Sequence, residues 1–122
     1  MTARVLIVDD QEPFRAVARD VVEVAGGFEV VGEAASGEAA VELARTLEPD
    51  LVLMDVNLPG IDGTEATRQI VTARAATKVI LLSTYEEDEY VTRAHECGAM
   101  GYVPKSAFDP DRLAAEWAGA NG

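Results

Sequence analysis

A chain of 122 residues has room for one hydrophobic core and is too short for two, and its 48% apolar content argues against disorder. Its 22 acidic against 10 basic side chains leave a formal net charge of −12, which repels phosphate backbones and anionic lipid, so direct nucleic-acid or membrane binding by this domain is not expected. Met1-Thr2-Ala3-Arg4 runs straight into Val5–Val8 without a signal-peptide core, and no apolar run approaches the roughly 20 residues that cross a bilayer, so the expectation is a cytoplasmic domain.

Arg4 to Val8 is an apolar strand that ends in Asp9-Asp10. Phe14, Val17, Ala18, Val21, Val22 and Ala25 then recur at helical spacing, with Pro13 tolerated in the first turn and Gly26-Gly27 as the stop. Glu29 to Ala34 reads as the second strand. Ser36 is placed to cap a second helix whose inward stripe is Ala40, Leu43, Ala44 and Leu47, and Pro49 ends it. Leu51 to Met54 forms a third strand closed by Asp55, after which Asn57, Pro59, Gly60, Asp62 and Gly63 make an exposed turn. Ala66, Ile70 and Ala73 mark a third helix. The fourth strand, Lys78 to Leu82, delivers Ser83 and Thr84, and Glu86 to Glu89 opens a helix that Cys97-Gly98 closes. Gly101 to Val103 is a fifth strand ahead of Lys105, and Asp109 to Ala118 a last helix carrying Leu113 and Trp117, with 118–122 suited to the start of a linker. The alternation predicts one α/β domain on a parallel sheet, residues 1–122 with a core of about 3–118. Cys97 reads as a buried apolar residue, His95 as exposed, and Phe14 and Leu43 as core packing alone.

In a parallel sheet the strand ends meet on one edge, which would gather Asp9, Asp10, Asp55, Ser83 and Lys105 into one pocket. Three carboxylates without imidazole or thiolate describe a hard oxygen site that suits Mg²⁺ better than zinc. Lys105 would supply a second positive charge and Ser83 a neutral donor, a set suited to phosphoryl transfer. Asp55 stands alone on its strand and is the candidate nucleophile, giving an aspartyl phosphate.

The segments Val8-Asp9-Asp10, Leu53-Met54-Asp55-Val56-Asn57-Leu58-Pro59-Gly60, Leu82-Ser83-Thr84 and Gly98–Lys105 resemble the response-regulator receiver domain of bacterial two-component signalling, in order and spacing across the chain. The resemblance implies a flavodoxin-like (βα)5 doubly wound sheet of strand order 2-1-3-4-5. It implies that Asp55 takes the phosphoryl group from a sensor histidine kinase, that Asp10, Asp55 and the main-chain carbonyl of Asn57 hold Mg²⁺, and that Asp9 acts through water. It also implies that Lys105 pairs with a phosphoryl oxygen, and that Ser83 and Tyr102 form a switch pair in which Tyr102 turns inward on activation. By the same resemblance Asn57, Thr84 and Tyr85 flank access to the site, with Thr84 bulkier than the usual residue and Tyr85 a shield against the hydrolytic water. The runs Leu82–Val91 and Gly101–Lys105 are similar to the NarL/LuxR-type subfamily, whose members carry a C-terminal helix-turn-helix for transcription regulation; none is present in these residues, and a phosphorylation-dependent homodimer fits that pattern. Ser106 follows Lys105 where many receivers have proline, so a cis bond there is not expected. A receiver would be no enzyme toward external metabolites, catalysing only its own phosphorylation and dephosphorylation. The alternative is a small Mg²⁺-dependent phosphatase with an aspartyl-phosphate intermediate. Haloacid-dehalogenase-type enzymes place a second aspartate two residues after the nucleophile, where this chain has Asn57. A degenerate receiver that only binds partners is a third reading, against which the intact Asp10, Asp55 and Lys105 set argues.

Overall fold

Short apolar strands that alternate with amphipathic helices bury both faces of a sheet only when the helices cross above and below it. The computed structural model describes residues 2–84 and 94–121, without the side chains of 120 and 121, and has that architecture. Strands β1 (Ala3–Val8), β2 (Phe28–Ala34), β3 (Leu51–Asp55), β4 (Lys78–Ser83) and β5 (Gly101–Pro104) form one parallel sheet in the order β2-β1-β3-β4-β5. Helices α1 (Glu12–Ala25) and α4 (Pro110–Asn121) cover one face, α2 (Gly37–Leu47) and α3 (Gly63–Ala73) the other. The predicted helix from Glu86 falls mostly outside the described residues, with 94–97 as its described helical end. Among described residues no helix is long and apolar enough to cross a membrane.

Strand alternation sorts the core into two layers. Val5, Ile7, Leu51, Leu53, Ile80, Leu82 and Val103 pack with Ala18, Val22 and Leu113 under α1 and α4. Leu6, Val8, Val52, Met54, Val79, Leu81 and Tyr102 pack with Ala40, Ala66, Ile70 and Cys97 on the other side. Val17 departs from the predicted stripe: it is 49% exposed. Phe14, Ala18, Val21, Val22 and Ala25 already fill the arc of α1 that meets the sheet, and Val17 lies at its margin. Leu43 is half-buried against the core, and His95 is exposed as expected.

Local chemistry explains most boundaries. Ser36 Oγ accepts the Ala39 N–H at 3.1 Å to start α2, and Asp62 Oδ1 accepts the Glu65 N–H at 2.9 Å to start α3, so Asp62 is a helix cap and not merely a turn residue. The stop of α2 is Glu48, left-handed at φ 48°, one residue ahead of the expected Pro49. Asp109 Oδ1 accepts the Arg112 N–H at 2.8 Å, and α4 then continues to Asn121, three residues beyond the predicted end at Ala118. All peptide bonds among the described residues are trans, including Lys105-Ser106.

Gly63 is the tightest point of the chain below the functional edge. Its N–H donates to the Val56 carbonyl at 2.9 Å, and a Cβ there would lie against the Asp55 carbonyl and 2.8 Å from the Val56 Cα. Both obstacles are backbone, so neither can rotate away. Gly63→Ala should cost about 1–3 kcal/mol, read as a fall of several degrees in melting temperature. An unchanged melting temperature would contradict this close approach.

Candidate functional site

Register brings the polar residues together as a staircase. Val8 pairs with Met54, which sets Asp9 level with Asp55; Asp55 pairs with Leu82, so Ser83 stands one residue further out; Ser83 pairs with Pro104, and Lys105 follows. Asp9 and Asp55 are buried, with 1% and 4% of their surface exposed, while Asp10 is exposed at the mouth. The three carboxylates each offer an oxygen within 4.8 Å of the others. Such a set, all hard oxygen and without imidazole or thiolate, could hold a divalent cation of the Mg²⁺ kind.

Each member is fixed separately. Asp9 Oδ1 accepts the Gln11 N–H at 2.8 Å, and the Asp9 carbonyl accepts from Arg15 Nη1 at 2.7 Å. Lys105 Nζ lies 2.6 Å from Asp9 Oδ2 and 3.6 Å from Asp55 Oδ2. The shorter contact is an ion pair without hydrogen-bond alignment, so the buried Asp9 Oδ2 has no directional partner among the described residues. Asp55 Oδ1 accepts the Asn57 N–H at 3.3 Å, and Asn57 itself is exposed. Burial, then the neighbouring Asp9 charge, pushes the Asp55 carboxyl up to about 6; Lys105 and the Asn57 N–H oppose the shift without cancelling it. Negative charge is in excess here, which is the electrostatic reason that the cluster suits a cation.

Ser83 is fully buried at the end of β4, and Thr84 is exposed beside it. Tyr102 sits next to Leu81 in the β4–β5 register, on the face toward which Ser83 also points by alternation. Its ring is 6% exposed, so the expectation that it turns inward on activation meets a ring already inside, packed in the α2–α3 layer. The physical reason is that this layer reaches β5 through Ala94, Cys97 and Ala99, which leaves an apolar slot for the ring. Tyr85 lies outside the described residues.

Two contributors went unseen in the sequence. Phe14, read as core alone, is half-buried and has its ring centroid 4.4 Å from Lys105 Nζ. Arg15 ties the Asp9 carbonyl to Glu33 on β2 through Nε at 3.2 Å, and Arg19 grips the same Glu33 at 2.6 Å. Their proximity to Asp10 in sequence was a usable signal, since α1 must start at the functional edge. A cleft of about 380 Å³ between α2 and α3, bordered by Arg45, Glu48 and Thr77, opens at the opposite end of the sheet and touches none of these groups.

A model of the response regulator receiver domain matches residues 5–118. The chain belongs to the response-regulator receiver family. It is 44% identical over 104 residues to response regulator GacA of Pseudomonas viridiflava, which covers 85% of this chain and 49% of that protein; the chain thus spans about half the length of the curated relatives it matches. The two-component response regulator of the LuxR family from Aurantimonas sp. SI85-9A1 superposes with a TM-score of 0.86 at 39% identity, over 94% of this chain and 81% of that one. The signal receiver domain of the putative response regulator NarL from Mycobacterium tuberculosis superposes at 0.89 with 32% identity, over 99% and 98%. The receiver is thus of the NarL/LuxR type, a phosphorylation-activated signalling domain and not a conventional enzyme.

The raised Asp55 value carries a sign. Between about 4 and 6 the folded receiver holds a proton that the unfolded chain releases, so rising pH through that window removes stability, and above it the full penalty of a buried charge remains. Asp55→Asn should therefore melt higher than the unsubstituted domain at pH 7.5 without divalent metal, by on the order of 1–3 kcal/mol. The advantage should shrink as pH falls through about 6 toward 4. Equal melting temperatures across that range would contradict the buried, charge-crowded environment.

Proposed function

We propose that Asp55 is the phosphoacceptor of this receiver. The observation that carries this reading is the single buried carboxylate at the end of the central strand, with Lys105 Nζ 3.6 Å from its outer oxygen and two further acids beside it. An Asp55 oxygen attacks the phosphorus of a kinase phosphohistidine, the O–P bond forms as the P–N bond breaks, and the electron pair leaves with the imidazole. Lys105 offsets charge on the phosphoryl oxygens, a task for which an ammonium already in the pocket needs little reorganisation. Asp10, Asp55 and the Asn57 carbonyl would hold Mg²⁺, with Asp9 acting through water; bound there, the ion would neutralise phosphoryl charge and orient the group.

Ser83 and Tyr102 serve as the switch pair in this reading, because they share one face of neighbouring strands. With the ring already inside, the phosphoryl group would act by drawing Ser83 and locking Tyr102, not by moving the ring from solvent. Its negative charge and acceptor oxygens give the differential contacts that such a change requires. We place the domain in the cytoplasm opposite a sensor histidine kinase. Its output belongs to a C-terminal helix-turn-helix that controls transcription, with a phosphorylation-dependent homodimer as the active form.

Incubation with Mg²⁺ and acetyl phosphate should add one phosphoryl group, located on Asp55 by peptide mass spectrometry, and Asp55→Asn should remove it without unfolding. Label retained in that variant would place the acceptor elsewhere. Multiple turnovers of an aryl phosphate, with no lasting adduct, would favour the aspartyl-phosphate phosphatase. The family resemblance assigns Asn57, Thr84 and Tyr85 to the approach, and on that reading Tyr85→Ala should shorten the adduct's half-life severalfold at saturating Mg²⁺; an unchanged decay rate would reject a shielding role for Tyr85.

A further inference from the structure

A lysine ammonium sits at the end of four flexible bonds, and a site that needs it at one point must restrict it. Here the carboxylates do so incompletely. Asp9 Oδ2 is close, at 2.6 Å, but not aligned as a hydrogen-bond acceptor, and Asp55 Oδ2 is 3.6 Å away. Charge attraction of this kind fixes a distance and leaves direction free. The third neighbour of Nζ is the Phe14 ring, 4.4 Å from its centroid and within the range in which a ring face attracts a cation.

Phe14 is also placed unlike a core phenylalanine. Phe108 is 7% exposed and Leu113 fully buried, whereas Phe14 sits half-buried at the rim of that layer, in the first turn of α1. Its ring lies 6.4 Å from the Phe108 ring at 41°, and the Phe108 N–H returns to the Lys105 carbonyl at 3.3 Å. One side chain thus meets both the head of Lys105 and Phe108, the residue that closes the short 3-10 turn Lys105–Ala107 carrying its backbone.

We propose that Phe14 is a positioning residue for Lys105, its ring face holding the ammonium over the acid cluster and its contact with Phe108 bracing the turn that bears the lysine. An aliphatic side chain in its place would still pack on Phe108, but it has no quadrupole to attract the cation. The ammonium would then swing toward solvent for part of the time and meet the incoming phosphoryl group less often. The kinetic part of this proposal rests on the phosphoryl-transfer reading; the geometric part does not.

The chain has two lysines, Lys78 and Lys105, which makes NMR on lysine labelled at Cε decisive. The Lys105 Cε protons should resonate upfield of those of Lys78, from the shielding cone of the Phe14 ring. Phe14→Leu should abolish the offset, and Phe14→Tyr should keep it. At saturating Mg²⁺, Phe14→Leu should slow phosphorylation by acetyl phosphate about three- to tenfold, with Phe14→Tyr restoring the rate. Lys105 protons without an upfield offset in the unsubstituted protein would overturn the proposal, as would an undiminished rate in Phe14→Leu or an equal loss in both variants. Absence of any adduct on the unsubstituted protein would instead reject Asp55 as acceptor, while the NMR comparison would still decide the role of Phe14.

Discussion

The crowding of three carboxylates at one sheet edge, opposed by the Lys105 ammonium, is the constraint around which the rest of this molecule is arranged. Like charges within 4.8 Å of one another repel, and burial of two of them deepens the cost. Lys105 offsets only part of it, which leaves the Asp55 carboxyl raised to about 6. A domain that keeps such a cluster is less stable without a cation than its core would allow, and that excess of negative charge is what suits the cluster to a divalent ion.

The fold supplies the rigidity that this repulsion demands. Each acid and its counter-charge stand at or just past the end of a strand whose interior residues are mostly buried, so the carboxylates cannot drift apart without disrupting the sheet. The staircase register sets these groups at three heights, with Asp9 and Asp55 level, Ser83 above them and Lys105 above Ser83. A phosphoryl group on Asp55 would rise toward the hydroxyl and the ammonium. The close turn at Gly63 completes the frame from below, by seating the start of α3 against the backbone of Asp55 and Val56.

Helix α1 contributes more than a covering layer. Its first turn is anchored to the edge by Arg15, which binds the Asp9 carbonyl and is held in turn by Glu33, itself shared with Arg19. Glu12 joins the same group through Arg15 and Arg19 at 3.2 and 3.3 Å. These partly exposed pairs add little stability singly, but a network that ends on a backbone carbonyl restricts how the acidic loop can move. Phe14, one residue before Arg15, faces the lysine from the same turn.

The sequence by itself determined the five strands, their α/β alternation, and the identity of Asp9, Asp10, Asp55, Ser83 and Lys105, because period-two and period-3.6 patterns and strand-end polar residues are local signals. Most boundaries followed for the same reason, from Ser36, Gly26 and the turn after Asp55. Only the tertiary structure decided what depends on distance between segments far apart in the chain. It set Phe14 under Lys105, tied Arg15 to the Asp9 carbonyl, placed Tyr102 inside, left Val17 in solvent, and buried Asp9 while exposing Asp10. An apolar residue at helical spacing reads the same whether it meets a leucine or an ammonium. Which of these it meets is fixed by how α1 and the β5 turn pack across the edge of the sheet.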